Sequence, residues 1–228
     1  MGVDIRDLVS DKANSLLAGK TQVAVLEAGC GSSTHVKLSG VTRVVGIDIS
    51  KDQLERNNVL HEKIQGDIQV YPLPKGEFDV VVCWMVLEHL SAPNDALVNM
   101  FSSLKQGGLA IFGFPNLRSI KGLVTKFTPY WFHEGYYRFM NYKSHPFPTY
   151  LRTAILPKRL IRFAGQHGFT LEFCQLEEGT VAKRFRNRFK IADIAFAGVD
   201  TLTRLLTLGK TESLLLDNCF LILKKQAQ

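Results

Sequence analysis

Apolar and polar positions follow two different rhythms along this 228-residue chain, and the order of the rhythms is its first structural signal. Ile5, Leu8, Val9 and Leu16 are spaced for one face of a helix over residues 4–18, with Gly19 as its stop. Val23-Ala24-Val25-Leu26 is instead a continuous, β-branched run of strand length, the pattern of a strand buried on both faces of a parallel sheet. It runs into Glu27-Ala28-Gly29-Cys30-Gly31-Ser32-Ser33-Thr34, an acid followed by a tight glycine turn. The turn is expected to open a helix whose free N–H groups face an anionic or carboxylate group. Thr42–Asp48, Phe78–Trp84 and Leu109–Phe114 read as further strands, and Ser50-Lys51-Asp52-Gln53 as a capping box opening a helix. Pro157–His167 reads as a helix with a first-turn proline and Gly168 as its cap. Phe169–Glu177 and residues 218–225 read as the last two strands. Strand and helix alternate through residues 22–115, which implies parallel strands with helices on both faces.

Sheets of this kind bind ligands at the carboxyl ends of their strands, where the strand order reverses. Glu27, Asp48, Asp67 and the pair Cys83-Trp84 all fall at such ends. A dinucleotide fingerprint would need a third glycine where Thr34 stands, which disfavours a nicotinamide or flavin enzyme. Glu27-x-Gly29-x-Gly31 instead resembles motif I of the class I S-adenosylmethionine-dependent methyltransferases. The later motifs follow in order: the strand ending in Asp48, then Gly66-Asp67, then Phe78–Trp84, then Leu104-Lys105-Gln106-Gly107-Gly108, similar to the family's L-K-P-G-G turn with Gln106 for proline. The match spans about residues 20–116. It implies an α/β fold, a seven-stranded and mostly parallel sheet in the order 3-2-1-4-5-7-6 whose last strand is antiparallel. It implies S-adenosylmethionine as cofactor, with S-adenosylhomocysteine as product. Glu27, Gly29, Cys30 and Gly31 would hold the aminocarboxypropyl end, Asp48 the ribose and Asp67 the adenine amino group, with Ile49 and Ile68 also among the cofactor-binding residues. Cys83 and Trp84 complete the set, Trp84 lying either on the adenine or sulfur side of the cofactor or in the core at a strand end.

Composition narrows the class further. Hydrophobic residues make up 46% and charged residues 21%, globular values for one domain over 1–228. Within it, 20–116 is the cofactor core, 117–156 an aromatic lid and 180–214 an insertion between the last two strands. The four cysteines, at 30, 83, 174 and 219, form neither C-x-x-C nor a zinc pattern. Reduced thiols in a cytoplasmic protein and no bound metal are therefore expected. No signal peptide and no apolar run of membrane-spanning length is visible. Charge is uneven: residues 1–115 carry 10 Lys and Arg against 13 Asp and Glu, and residues 116–228 carry 18 against 8. The second half is thus strongly basic and suits an anionic partner.

Two segments depart from the core pattern. Residues 127–150 hold five of the six tyrosines, together with Trp131, Phe132, His133 and His145, and Glu134 is their one acid. An aromatic lid suits a planar or greasy acceptor; the alternative is a cap packed on the sheet or on a second subunit, as in a homodimer. His133, His145 and His89 are the candidate general bases, because an imidazole titrates near neutrality. The insertion begins Lys183-Arg184-Phe185-Arg186-Asn187-Arg188-Phe189-Lys190 and continues as a helical apolar stripe to about Gly209. Over 183–208 it suits peripheral membrane contact, and the alternative is a packed helix with a solvated basic edge; nucleic acid is the least favoured partner. Some ubiquinone-biosynthesis O-methyltransferases have the same fold and a membrane-touching insertion. The resemblance implies methyl transfer to a small aromatic or hydrophobic acceptor, most often at oxygen. A methyltransferase-like binding module without turnover, or action on RNA or a membrane lipid, is the alternative.

Overall fold

The computed structural model describes residues 4–139, 149–150, 152–179, 183, 190–206 and 214–227. Helix α1 (Ile5–Leu16) is opened by Asp4, whose carboxylate accepts from the Arg6 N–H at 2.9 Å. Next come β1 (Val23–Ala28), β2 (Val41–Asp48), α2 (Lys51–Arg56), β3 (Glu62–Gln65), β4 (Phe78–Trp84), α3 (Pro93–Ser103) and β5 (Leu104–Pro115). The chain continues through α4 (Ile120–Phe127), α5 (Tyr130–Phe139), α6 (Pro157–Gln166), β6 (Phe169–Glu177), α7 (Lys190–Leu206) and β7 (Asn218–Lys225). The seven strands form one sheet in the order β3-β2-β1-β4-β5-β7-β6. Strand β7 runs antiparallel to both β5 and β6, and the other pairs are parallel. This is the topology that the motif order implies.

One expected element is missing. No helix follows the glycine turn; residues 31–40 are turns and loop. Ser32, Ser33 and Thr34 favour local hydrogen bonds over helix, and the stretch ends at Gly40, which takes φ +69°. The loop is pinned to α1 instead: Lys37 N–H donates to Ser10 Oγ at 3.0 Å, and Ser39 N–H to Asn14 Oδ1 at 2.8 Å. Strand β5 is longer than the expected 109–114 because the glycine turn at 104–108 is absorbed into it, with the register shifting opposite Phe78 and Val80.

Side chains alternate across the sheet into two apolar layers. Along β4, Val81 and Cys83 face one layer with Leu26, Leu97, Met100 and Phe112, while Val80, Val82 and Trp84 face the other with Val9, Ala13, Phe220 and Ile222. Both faces are covered, which is why the strand reads as one unbroken apolar run. In the second layer Gly113 lies in register between Trp84 and Phe220. A Cβ there would stand 2.9 Å from the indole, so glycine is what lets the two rings close to 4.9 Å between centroids.

The amino-terminal end of the central strands is locked by charge. Asp79, 3% exposed, accepts from Lys20 at 2.8 Å, Lys105 at 2.7 Å and the Ala24 N–H at 3.1 Å. Burial works to raise its pKa, yet the hydrogen bonds from Lys105, Lys20 and Ala24 outweigh it and hold the carboxyl below the usual aspartate range. The lock therefore contributes stability above the ordinary aspartate pKa and loses it as pH falls through the depressed one. Asp79→Asn is expected to lower the melting temperature by about 4–8 °C at neutral pH. The gap from wild type should close in melts near pH 3, and an unchanged gap there would contradict the ion lock.

The aromatic segment contains α5 and the end of α4, and the insertion contains α7. Phe127 and Trp131 are exposed on α4 and α5, and Ile194, Leu202 and Leu205 on α7. His145 and the basic run 184–189 lie outside the described residues. Among the described residues, no helix is long and apolar enough to cross a membrane.

Candidate cofactor site

The turn after β1 is fastened to the end of β2. Gly29 and Cys30 both donate their N–H groups to Ile47 O, at 2.8 and 3.2 Å. Gly29 has φ +68° and Gly31 φ +51°, a left-handed backbone in which a side chain is strained. A Cβ on Gly29 would also lie 2.4 Å from Val86 Cγ2. The turn aims the Gly31 N–H at Asp48 Oδ2, at 2.9 Å, while the Ser50 N–H reaches Asp48 Oδ1 at 2.8 Å. Each Asp48 oxygen is thus fixed by one amide and keeps lone-pair capacity for one more donor, an arrangement matched to two neighbouring hydroxyls. The expected capping box forms only by half. Ser50 Oγ accepts from the Gln53 N–H at 3.4 Å, but the Ser50 N–H is committed to Asp48.

Gly66 N–H donates to Asp48 O at 3.0 Å and so places Asp67 beside this carboxylate. Gln69, a residue sequence reasoning passed over, holds Asp67 in place. Its N–H and side-chain amide both donate to Asp67, at 2.9 to 3.1 Å, and its Oε1 accepts from Ala92 N–H at 2.7 Å. The only signal was a polar residue two positions after the acid. Ile49 stands 73% exposed at the tip of β2, free to cover a ring, whereas Ile68 is buried in the core at 5%.

Glu27 is the unusual group. It ends β1 at 4% exposure with no hydrogen-bond partner among the described residues, and burial pushes its carboxyl up to about 8. A buried carboxyl without a partner is costly, so the position is built for a donor that is not part of this chain. Burial, reinforced by Asp48 and Glu27, raises the Cys30 thiol to about 12, and burial raises that of Cys83 further. Both thiols therefore stay protonated, Cys83 within the core layer and Cys30 packed against Gly46 of β2.

The remaining residues are more dispersed. Trp84 is 9% exposed and stacked between Phe220 and His35, the latter at 5.8 Å and 16°, which puts the indole in the core layer. His89 closes the 3-10 turn Leu87–His89, its Nε2 3.9 Å from Glu88 Oε1. His133 belongs to α5. Met85 leaves β4 with φ +54° and donates its N–H to Gly113 O at 2.7 Å. A left-handed non-glycine residue there turns the chain sharply at the strand end. Among the described residues no group of three or more His, Cys, Asp or Glu is placed to hold a metal ion.

Glu27, Gly29, Gly31, Asp48 and Asp67 are thus one connected constellation at the carboxyl edge of β1, β2 and β3. A family model described as a methyltransferase domain matches residues 26–112, which contain all five. The fold is that of the class I methyltransferases, and residues 26–112 are similar in sequence to a methyltransferase domain. The chain is 24% identical over 162 residues to the mitochondrial ubiquinone biosynthesis O-methyltransferase of Saccharomyces cerevisiae, covering 66% of this chain and 51% of that protein. It is 29% identical over 171 residues to the ubiquinone biosynthesis O-methyltransferase of Methylococcus capsulatus, covering 70% of this chain and 67% of that one. The chain spans about half the length of the first, yeast, relative. In fold, the chain superposes on the [4+2]-cyclase SpnF with a TM-score of 0.59 at 16% identity, covering 98% of this chain and 81% of that one.

The geometry of this site fits a nucleoside amino acid such as S-adenosylmethionine. Glu27 offers an unpartnered buried acceptor for an ammonium, the turn leaves no Cβ in the way, and Asp48 keeps two acceptor positions.

Proposed function

We propose that the chain transfers the methyl group of S-adenosylmethionine to a hydroxyl of a small aromatic or hydrophobic acceptor. The partnerless, buried Glu27 carries this reading, since it gives the site a place for the amino group of a nucleoside amino acid. The oxygen acceptor is supported by the two ubiquinone O-methyltransferase relatives and by the tyrosine-rich segment after β5. When bound, the cofactor supplies an electrophilic methyl group on a sulfonium. The chain's residues then bind and align. Glu27 receives the ammonium, the Gly29–Gly31 turn admits the carboxylate end, and Asp48 receives the ribose hydroxyls. Displacement at a methyl carbon asks a protein chiefly for such alignment.

Calorimetric titration with S-adenosylhomocysteine tests the reading. Micromolar binding, roughly −8 kcal/mol, is expected for the wild type. Asp48→Ala is expected to weaken it about a hundredfold, because two charge-assisted hydrogen bonds are lost. No binding by the folded wild type would overturn the proposal. Binding without methyl transfer to any of a panel of phenols, catechols and lipid acids would point to a ligand-binding module on this fold.

A further inference from the structure

Glu88 is the second buried acid at the carboxyl edge of the sheet, and no step so far uses it. It sits in the 3-10 turn directly after β4, the strand next to β1 and Glu27. Its side chain is 7% exposed, and its Oε2 is sealed from solvent without a hydrogen-bond partner. The charged and titratable groups around it come from three elements. Cys83 of β4 has its thiol pushed up by burial and then by the Glu88 charge, His89 Nε2 is 3.9 Å from Glu88 Oε1, and Lys121 of α4 acts on Glu88 by charge alone. Lys121 is engaged elsewhere, 3.4 Å from Oδ2 of the buried Asp217. The chain leaving the aromatic segment crosses here: Tyr150 N–H donates to Glu88 O at 2.9 Å.

A buried structural acid normally has its oxygens satisfied. Here one oxygen is left unpaired, in the residue whose backbone carbonyl ties down the chain returning from the aromatic segment and one strand from Glu27. We propose that Glu88 binds the acceptor's hydroxyl and takes its proton, so that the acceptor presents a hydrogen-bond donor, of phenol or catechol type, and not a carboxylate. The inference rests on the function proposed above. In the step, the acceptor's O–H bond breaks and its proton goes to the Glu88 carboxylate. The oxygen forms its bond to the methyl carbon as the S–CH3 bond breaks, and the sulfonium leaves as a neutral thioether. The proton then passes to solvent. Burial, opposed by Glu88's own N–H and by Lys121, brings the carboxyl up to about 7, which suits a base working near neutrality.

The test uses protein saturated with S-adenosylhomocysteine, titrated calorimetrically with catechol and with its dimethyl ether, which has the same ring without donors. The wild type should hold catechol about tenfold tighter than the ether. That preference should grow as pH rises through about 7. Glu88→Leu should erase the preference, and Glu88→Gln should keep part of it but lose its pH dependence. Both variants should bind S-adenosylhomocysteine as the wild type does and melt no lower, since each removes an unpaired buried charge. Equal binding of the two probes, no binding of catechol, or a preference that survives in Glu88→Leu would overturn the assignment. Loss of S-adenosylhomocysteine binding by the wild type would instead strike the proposed function, so the two failures are separable.

Discussion

Glu27→Gln should weaken S-adenosylhomocysteine binding about a hundredfold and, in the absence of ligand, raise the melting temperature at pH 7. The two effects have one origin. Burial without a partner lifts the Glu27 carboxyl from an ordinary 4.5 to about 8. Between those values the folded state binds more protons than the unfolded one, so stability falls as pH rises and the loss levels off above about 8. At pH 7 the ceiling on that loss is about 3 kcal/mol. The glutamine amide is itself left short of partners, so a recovery of about 1–2 kcal/mol is expected, equivalent to about 2–8 °C. At pH 5 the gain should vanish or turn into a loss of up to about 1 kcal/mol. Ligand binding reverses the logic, because an ammonium beside Glu27 favours the ionised form. Wild-type binding between pH 5 and 8 should therefore release a proton. It should show heats that vary with the buffer's ionisation enthalpy, and tighten as pH rises towards 8. Glu27→Gln should show none of these. A variant that binds normally, or that melts lower at pH 7, would remove Glu27 from the site.

The contrast between Glu27 and Trp84 shows what the sequence could disclose. Glu27 and Asp48 were legible because each is an acid at the end of an apolar run, and a parallel sheet gathers such ends on one edge, while Asp67 was legible as the acid after Gly66 in the motif series. The strand order followed from motifs in series, and α6, β6 and β7 from proline, glycine and apolar periodicity. Trp84 sits at the same edge, but its side chain alternates to the face covered by α1, where Gly113 makes room for it against Phe220. Which face a residue takes in a strand buried on both sides leaves no mark in a continuous apolar run. The helix expected after Gly31 failed for another reason. The glycine turn announces a backbone shape, and the chain after it is anchored on α1 through the Lys37 and Ser39 N–H groups instead of winding into a helix. Gln69 and Glu88 were hidden because their roles depend on what surrounds them: an Asp67 to clamp in one case, an unsatisfied oxygen in the other.

Gly29→Ala should be the most disruptive single methyl group in the cofactor core. Its Cβ would meet Val86 Cγ2 at 2.4 Å and Cγ1 at 2.8 Å, and φ +68° adds left-handed strain. Valine is stiff at χ1, so the methyls cannot swing aside. The backbone strain costs about 1–2 kcal/mol and the overlap about 1–3 kcal/mol. The sum corresponds to about 5–15 °C in melting temperature for a chain of this size. Cofactor affinity should fall with it, because the Gly29 and Cys30 amides that tie the turn to Ile47 also set where Gly31 meets Asp48. Val86→Ala separates the two costs. Alone it should be mildly destabilising, through lost packing. Combined with Gly29→Ala it should restore the steric part but not the left-handed part, giving a coupling of about 1–3 kcal/mol in a double-mutant cycle. If the two substitutions are additive, Val86 does not press on the turn. The loss would then belong to the backbone of Gly29 alone, and the link between the end of β4 and the cofactor loop would be broken.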